Sequence, residues 1–141
     1  MACISLTERE EVKGNQTTDE VANTIMTLCK QMNKVPVLCK DAPGFIVNRV
    51  ARHYYLIAMK LVEQGVATFE DVDTIMEASG FKMGPFKLMD LIGMDVNLAV
   101  SKSVYEAFNK NERFTPSSLQ IQKVAQGELG KKSGKGFYNY N

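Results

Sequence analysis

After residue 40, every apolar run in this chain repeats at helical spacing, and glycine, proline or a capping residue punctuates each one. The longest run places Val47, Val50, Ala51, Tyr54, Ile57, Ala58, Leu61 and Val62 on one predicted apolar face. Pro43 suits the first turn of that helix, and Gly65 suits the residue just past its end. One earlier segment, Val35-Pro36-Val37-Leu38-Cys39, is short, β-branched and apolar, as a strand requires. Pro36 places it near a strand start or on an edge. Such a chain folds as a mainly α protein with a small strand-bearing piece in front.

The punctuation divides the rest. Thr17 with Glu20 three residues on predicts a capping box for a first helix, with Val21, Ile25, Leu28 and Met32 as its apolar stripe. Thr68 caps a helix that turns Val72, Ile75 and Met76 inward, with Asp71 at the capping-box position, and Ser79-Gly80 stops it. Met83-Gly84-Pro85 starts a short helix that ends at Gly93. The next begins near Asp95 and buries Val96, Ala99, Val100, Val104 and Phe108. Thr115-Pro116-Ser117 opens a last one through Leu119, Ile121, Val124 and Ala125. The tail from Gly127 is predicted to be flexible, with Phe137 and Tyr138 packing back. Two domains result: residues 1–40, a piece too small to bury a sheet face alone, and residues 41–141, about five helices around their own core.

Composition narrows the function. A formal net charge of +1 over 141 residues offers no basic surface for nucleic acid or anionic membrane. No apolar stretch reaches the roughly 18 residues of a membrane span. Cys3, Cys29 and Cys39 form no C-x-x-C pair, and a single histidine is present, so no metal site is expected. The odd cysteine count and the absence of a signal-peptide layout at the N-terminus predict a reducing, cytoplasmic setting with Cys29 and Cys39 as small apolar fillers.

Four blocks, in order, carry a resemblance. They are Asp41-Ala42-Pro43-Gly44-Phe45-Ile46-Val47-Asn48-Arg49; Glu63 to Thr68 with Asp71-Val72-Asp73; Met83-Gly84-Pro85-Phe86 with Asp90 to Asp95; and Gly130 to Tyr138. Together they resemble the L-3-hydroxyacyl-CoA dehydrogenases, including bacterial 3-hydroxybutyryl-CoA dehydrogenases. The resemblance implies that residues 41–141 are the helical C-terminal, substrate-side and dimer-forming domain of such an enzyme. It implies that residues 1–40 are a strand–helix–strand remnant of a Rossmann domain. The implied reaction interconverts 3-hydroxyacyl-CoA and 3-oxoacyl-CoA in fatty-acid or butanoate metabolism, with NAD or NADP as cofactor. The G-x-G-x-x-G cradle and the family's catalytic His are not among these residues. The expectation is therefore that the missing nucleotide-binding domain is a partner, that the chain alone holds no cofactor and is inactive, and that it forms a homodimer or larger assembly. The competing reading is a stand-alone oligomerisation or CoA-thioester-binding module without activity.

The candidate residues follow. By resemblance Asn48 is the active-site Asn; its amide offers both a donor and an acceptor for the acyl part or for the His. The alternative is a capping or solvated Asn in a first turn. Gly44, in the first turn of the expected helix and one turn before Asn48, would allow substrate or a partner domain to approach the backbone, or would simply bend the chain there. Met83 and Pro85 could border an acyl pocket, or belong to the core. His53 lies roughly 140° around the helix from Asn48 and is expected at a surface or interface. Gly130 to Gly136 lacks phosphate-loop spacing despite its three lysines.

Overall fold

The structure, a computed structural model, describes residues 8–140. Cys3 and the rest of the first seven residues lie outside the described residues. The chain forms two compact units that divide after Arg49.

In the first unit, β1 (Glu8–Lys13) and β2 (Val35–Lys40) pair in parallel, from Glu8 opposite Val35 to Lys13 opposite Lys40. Parallel neighbours need a crossover, and α1 (Asp19–Gln31) supplies it. The strand–helix–strand order matches the sequence reading, but the details of α1 correct it. Thr18, not Thr17, is the N-cap: its hydroxyl accepts from Val21 N at 3.3 Å, while Thr17 N donates to Gly14 O in the preceding turn. The predicted stripe of Val21, Ile25, Leu28 and Met32 is exposed, Met32 by 61%, and Ala22 and Cys29 are buried instead. Two strands present a narrow surface, and one line of small side chains two turns apart covers it. The Cys29 thiol donates to Glu11 Oε1 at 3.2 Å, and this bond pushes its pKa up.

The second unit is helical: the body of α2 (Val47–Glu63), then α3 (Phe69–Ala78), α4 (Pro85–Ile92), α5 (Met94–Ala107) and α6 (Ser118–Ala125). Their boundaries follow the caps. Thr68 and Asp71 form the expected reciprocal box, Thr68 Oγ1 accepting from Asp71 N at 3.1 Å. Gly84 precedes Pro85 at the first position of α4, and Ser117 with Gln120 boxes α6. Tyr55, Leu56, Met59, Phe86, Met89 and Met94 form the centre of the core. Among the described residues no helix is long and apolar enough to cross a membrane.

The inward faces differ from the pattern in the sequence. On α2 the buried line is Arg52, Tyr55, Leu56, Ala58 and Met59, of which only Ala58 lies on the expected face, whereas Val50 and Ile57 are 70% and 55% exposed. On α5 Asn97 and Ser101 are buried with Met94, Leu98 and Val104, while Ala99 is exposed. On α3 Ile75, and on α6 Ile121, also face out. On α2, α5 and α6 the interior holds a polar layer: Arg52 Nη1 donates to Asn97 O (2.9 Å), Asn97 Oδ1 (3.3 Å) and Ser101 Oγ (2.8 Å), and Gln120 Nε2 donates to Asn97 Oδ1 and Ser101 Oγ. A pattern search that admits only apolar residues to the interior misses this layer, although Ala58, Val72 and Val104 are buried as expected and Tyr54, Met76 and Leu119 pack on the core.

The tail is a folded strap rather than a flexible end. Gly130 bridges to Lys135 and Lys135 to Asn139, and Phe137 and Tyr138 pack on the core as expected.

Candidate functional site

The Pro43–Ile46 segment was expected to open α2, but it is a turn, and the helix begins at Val47. Gly44 has φ +72° and Phe45 φ +45°, two successive left-handed residues that no helix accepts. Glycine at position 44 therefore has a conformational reason, since a side chain there would be strained. The turn is held from β1. Glu10 Oε1 accepts from both Ile46 N and Val47 N at 2.8 Å. These are orphan donors of a helix N-terminus, and a carboxylate is favoured there by hydrogen bonding and by the helix dipole.

Asn48 follows, in the first turn of α2. It is half-buried rather than fully exposed, and its amide makes no side-chain hydrogen bond among the described residues. The amide thus keeps donor and acceptor capacity, beside a backbone fixed by Glu10. Glu10 was missed in the sequence. Only the parallel register, with Glu10 opposite Val37, carries it to the turn, and strand pairing has no local sequence signal. Glu10→Ala is expected to cost about 1–2 kcal/mol locally, as lost helix caps do, read as faster hydrogen exchange of the Ile46 and Val47 amides.

The remaining candidates lie in the second unit. Met83 is half-buried, and its carbonyl accepts from Tyr54 Oη at 2.9 Å. Pro85 is fully buried and leaves no surface for a ligand in this chain. His53 lies against Phe114, the rings tilted with centroids 5.1 Å apart. Burial, and then the charge of Arg113, lower its pKa. The three strap lysines are occupied: Lys132 with Asp95, Lys135 with Glu128, which also pairs with Lys123 of α6, and Lys131 over the Tyr140 ring. No group of three or more His, Cys, Asp or Glu side chains is placed to hold a metal among the described residues.

Residues 44–140 match the family model of the 3-hydroxyacyl-CoA dehydrogenase C-terminal domain. The chain belongs to this family. The match takes in Gly44, Asn48, Met83, Pro85 and the whole strap. The 3-hydroxyadipyl-CoA dehydrogenase of Escherichia coli (strain K12) is 48% identical over 132 residues, covering 93% of this chain and 28% of that protein. The mitochondrial hydroxyacyl-coenzyme A dehydrogenase of Mus musculus is 42% identical, again over 93% of this chain and 42% of that protein. The crystal structure of 3-hydroxybutyryl-CoA dehydrogenase from Escherichia coli K12 superposes with a TM-score of 0.89 at 47% identity, over 95% of this chain and 29% of its own. The chain thus spans well under half the length of these relatives.

Proposed function

We propose that these residues form the substrate-side part of an NAD-dependent 3-hydroxyacyl-CoA dehydrogenase, with Asn48 in contact with the acyl thioester or with the acid–base group. The observation that carries the reading is the Asn48 amide, uncommitted among the described residues, in a first turn pinned by Glu10. A reaction at C3 needs the thioester held still while a proton and a hydride leave. An amide with a free donor and a free acceptor can hold an oxygen and orient a neighbour at once. Gly44 holds the turn that presents it.

NAD accepts the hydride in such an enzyme. The 141 residues contain no G-x-G-x-x-G turn, so no cofactor contact is assigned within them. Met83 is proposed as an acyl contact through its half-exposed side chain. A homodimer is also proposed, built on the second unit. Val50, Ile57, Val66, Ile75, Leu91 and Ile121 are all at least half exposed there, an amount of apolar surface that favours association.

The test joins this chain to the nucleotide-binding part of the Escherichia coli relative, in place of that protein's own matching segment. The chimera is expected to oxidise a 3-hydroxyacyl-CoA with NAD, while the 141-residue chain alone shows no turnover. Asn48→Ala should lower turnover of the chimera by about tenfold or more, as lost electrostatic or proton-transfer partners do. Its unfolding free energy should move by less than about 0.5 kcal/mol, as for surface changes. Full turnover together with a stability loss above about 2 kcal/mol would make Asn48 a structural residue.

A further inference from the structure

The strap reaches further than the core packing of Phe137 and Tyr138 requires. The loop between α3 and α4, residues 80–84, is bounded by two α3 carboxylates. Asp73 accepts from Phe86 N (2.8 Å) and Lys87 N (2.9 Å), and so caps α4 in place of a neighbouring side chain. Glu77 accepts from Gly84 N at 3.1 Å and pairs with Lys87. The approach is close enough that a Cβ on Gly84 would overlap the Asp73 side chain. Asp73 is fully buried, and burial raises its pKa against the bonds that lower it. Its third bond does not come from the loop or from α4. The hydroxyl of Tyr138, on the strap, donates to Asp73 Oδ2 at 2.8 Å. The Tyr140 hydroxyl donates instead to Asp90, on the far end of α4.

We infer that Tyr138 is a positioning residue. Through Asp73 it ties the C-terminal strap to the loop that carries Met83, so that docking of the strap sets where Met83 sits. The importance of Met83 rests on the acyl contact proposed above; the mechanical link does not. Lys87 N and the Tyr138 hydroxyl donate to the same carboxylate oxygen, Asp73 Oδ2. Removing the phenol lets that carboxylate turn, and the two α4 amides lose their fixed acceptor together. Stacking of Phe81 on Tyr54, and the Tyr54 bond to Met83 O, hold the other side of the loop. The strap is thus the part whose loss leaves the α4 side loose.

Hydrogen exchange on the 141-residue chain tests this, with Tyr138→Phe against Tyr140→Phe. In Tyr138→Phe the Gly84, Phe86 and Lys87 amides should exchange about tenfold faster or more, the scale of one charge-assisted hydrogen bond, and the Met83 methyl resonance should shift. Amides of α5 and α6 should be unchanged. Tyr140→Phe should loosen only the strap. A bond that merely stabilised the fold would speed all globally exchanging amides alike, and that result overturns the inference, as does an unchanged loop. Should Tyr138→Phe fail to fold, the unaltered chain still decides: its Phe86 and Lys87 amides must open with those of Phe137 and Tyr138 at matched rates across denaturant. Opening at unrelated rates refutes the link. None of these readings uses activity, so a silent turnover assay sinks the acyl contact and leaves the link standing.

Discussion

Asp90→Ala is expected to cost about 3–5 kcal/mol or more, enough to leave the second unit largely unfolded at physiological temperature. Asp90 is fully buried at the heart of the strap. Its carboxylate accepts from Phe137 N (3.0 Å), Tyr138 N (2.9 Å) and Tyr140 Oη (3.0 Å). Truncation strands three donors beneath the tail, each costing about 1–3 kcal/mol when left unpaired. Against a total stability of about 5–15 kcal/mol, that is a large share. The strap has no slack to compensate. A Cβ on Gly136 would overlap the Asp90 carboxylate, and one on Gly130, which has φ +98°, would overlap the Asp90 backbone. Gly136→Ala should therefore imitate Asp90→Ala in direction. Urea unfolding settles the size: the midpoint should fall with little change in the m value. A loss under about 1 kcal/mol would mean that the tail packs through its aromatic rings alone.

The parts legible in the sequence are those governed by neighbours. The Thr68–Asp71 box, the Gly84-Pro85 start of α4 and the Gly93 stop involve residues within one turn of each other, and each holds in the structure. Asn48 stands out in the sequence only because the segment around it resembles a known motif. The parts that were not legible depend on pairing across distance. Thr17 and Thr18 compete for one cap, and the turn from Gly14 decides between them. Pro43-Gly44 reads as a helix start until Phe45 is seen to be left-handed as well. Asp73, Asp90 and Glu10 look like surface acids, because their donors lie thirteen to sixty-five residues away along the chain.

The polar layer of the second unit gives the other large effect, and its sign separates two accounts of why an arginine is buried. Arg52 is 2% exposed, and the groups that accept from it are all neutral: Asn97 O, Asn97 Oδ1 and Ser101 Oγ. Its guanidinium carbon lies 5.1 Å from the centre of the Tyr55 ring. Burial lowers its pKa to about 10 from 12.5. A lowered base pKa means the fold disfavours the charged form, so the cation costs about 3 kcal/mol at neutral pH. Arg52 Nε and Asn97 Nδ2 add two buried donors with no protein partner among the described residues. If the layer is there for stability, it is a poor choice. Arg52→Met should then be neutral or stabilising, because an apolar side chain of similar length removes the desolvation cost while Gln120 and Ser101 still donate to the two Asn97 oxygens. Asn97→Ala should do the opposite, at about 2–4 kcal/mol. It takes an acceptor from a cation that cannot leave, and it strips Gln120 Nε2 of its shorter bond. The double variant should be milder than Asn97→Ala alone, since no charge remains to be stranded. Chemical denaturation of the three proteins measures all of this. If Arg52→Met loses more than about 2 kcal/mol while Asn97→Ala loses less than about 1, the guanidinium is the anchor of the layer and the asparagine only its neighbour.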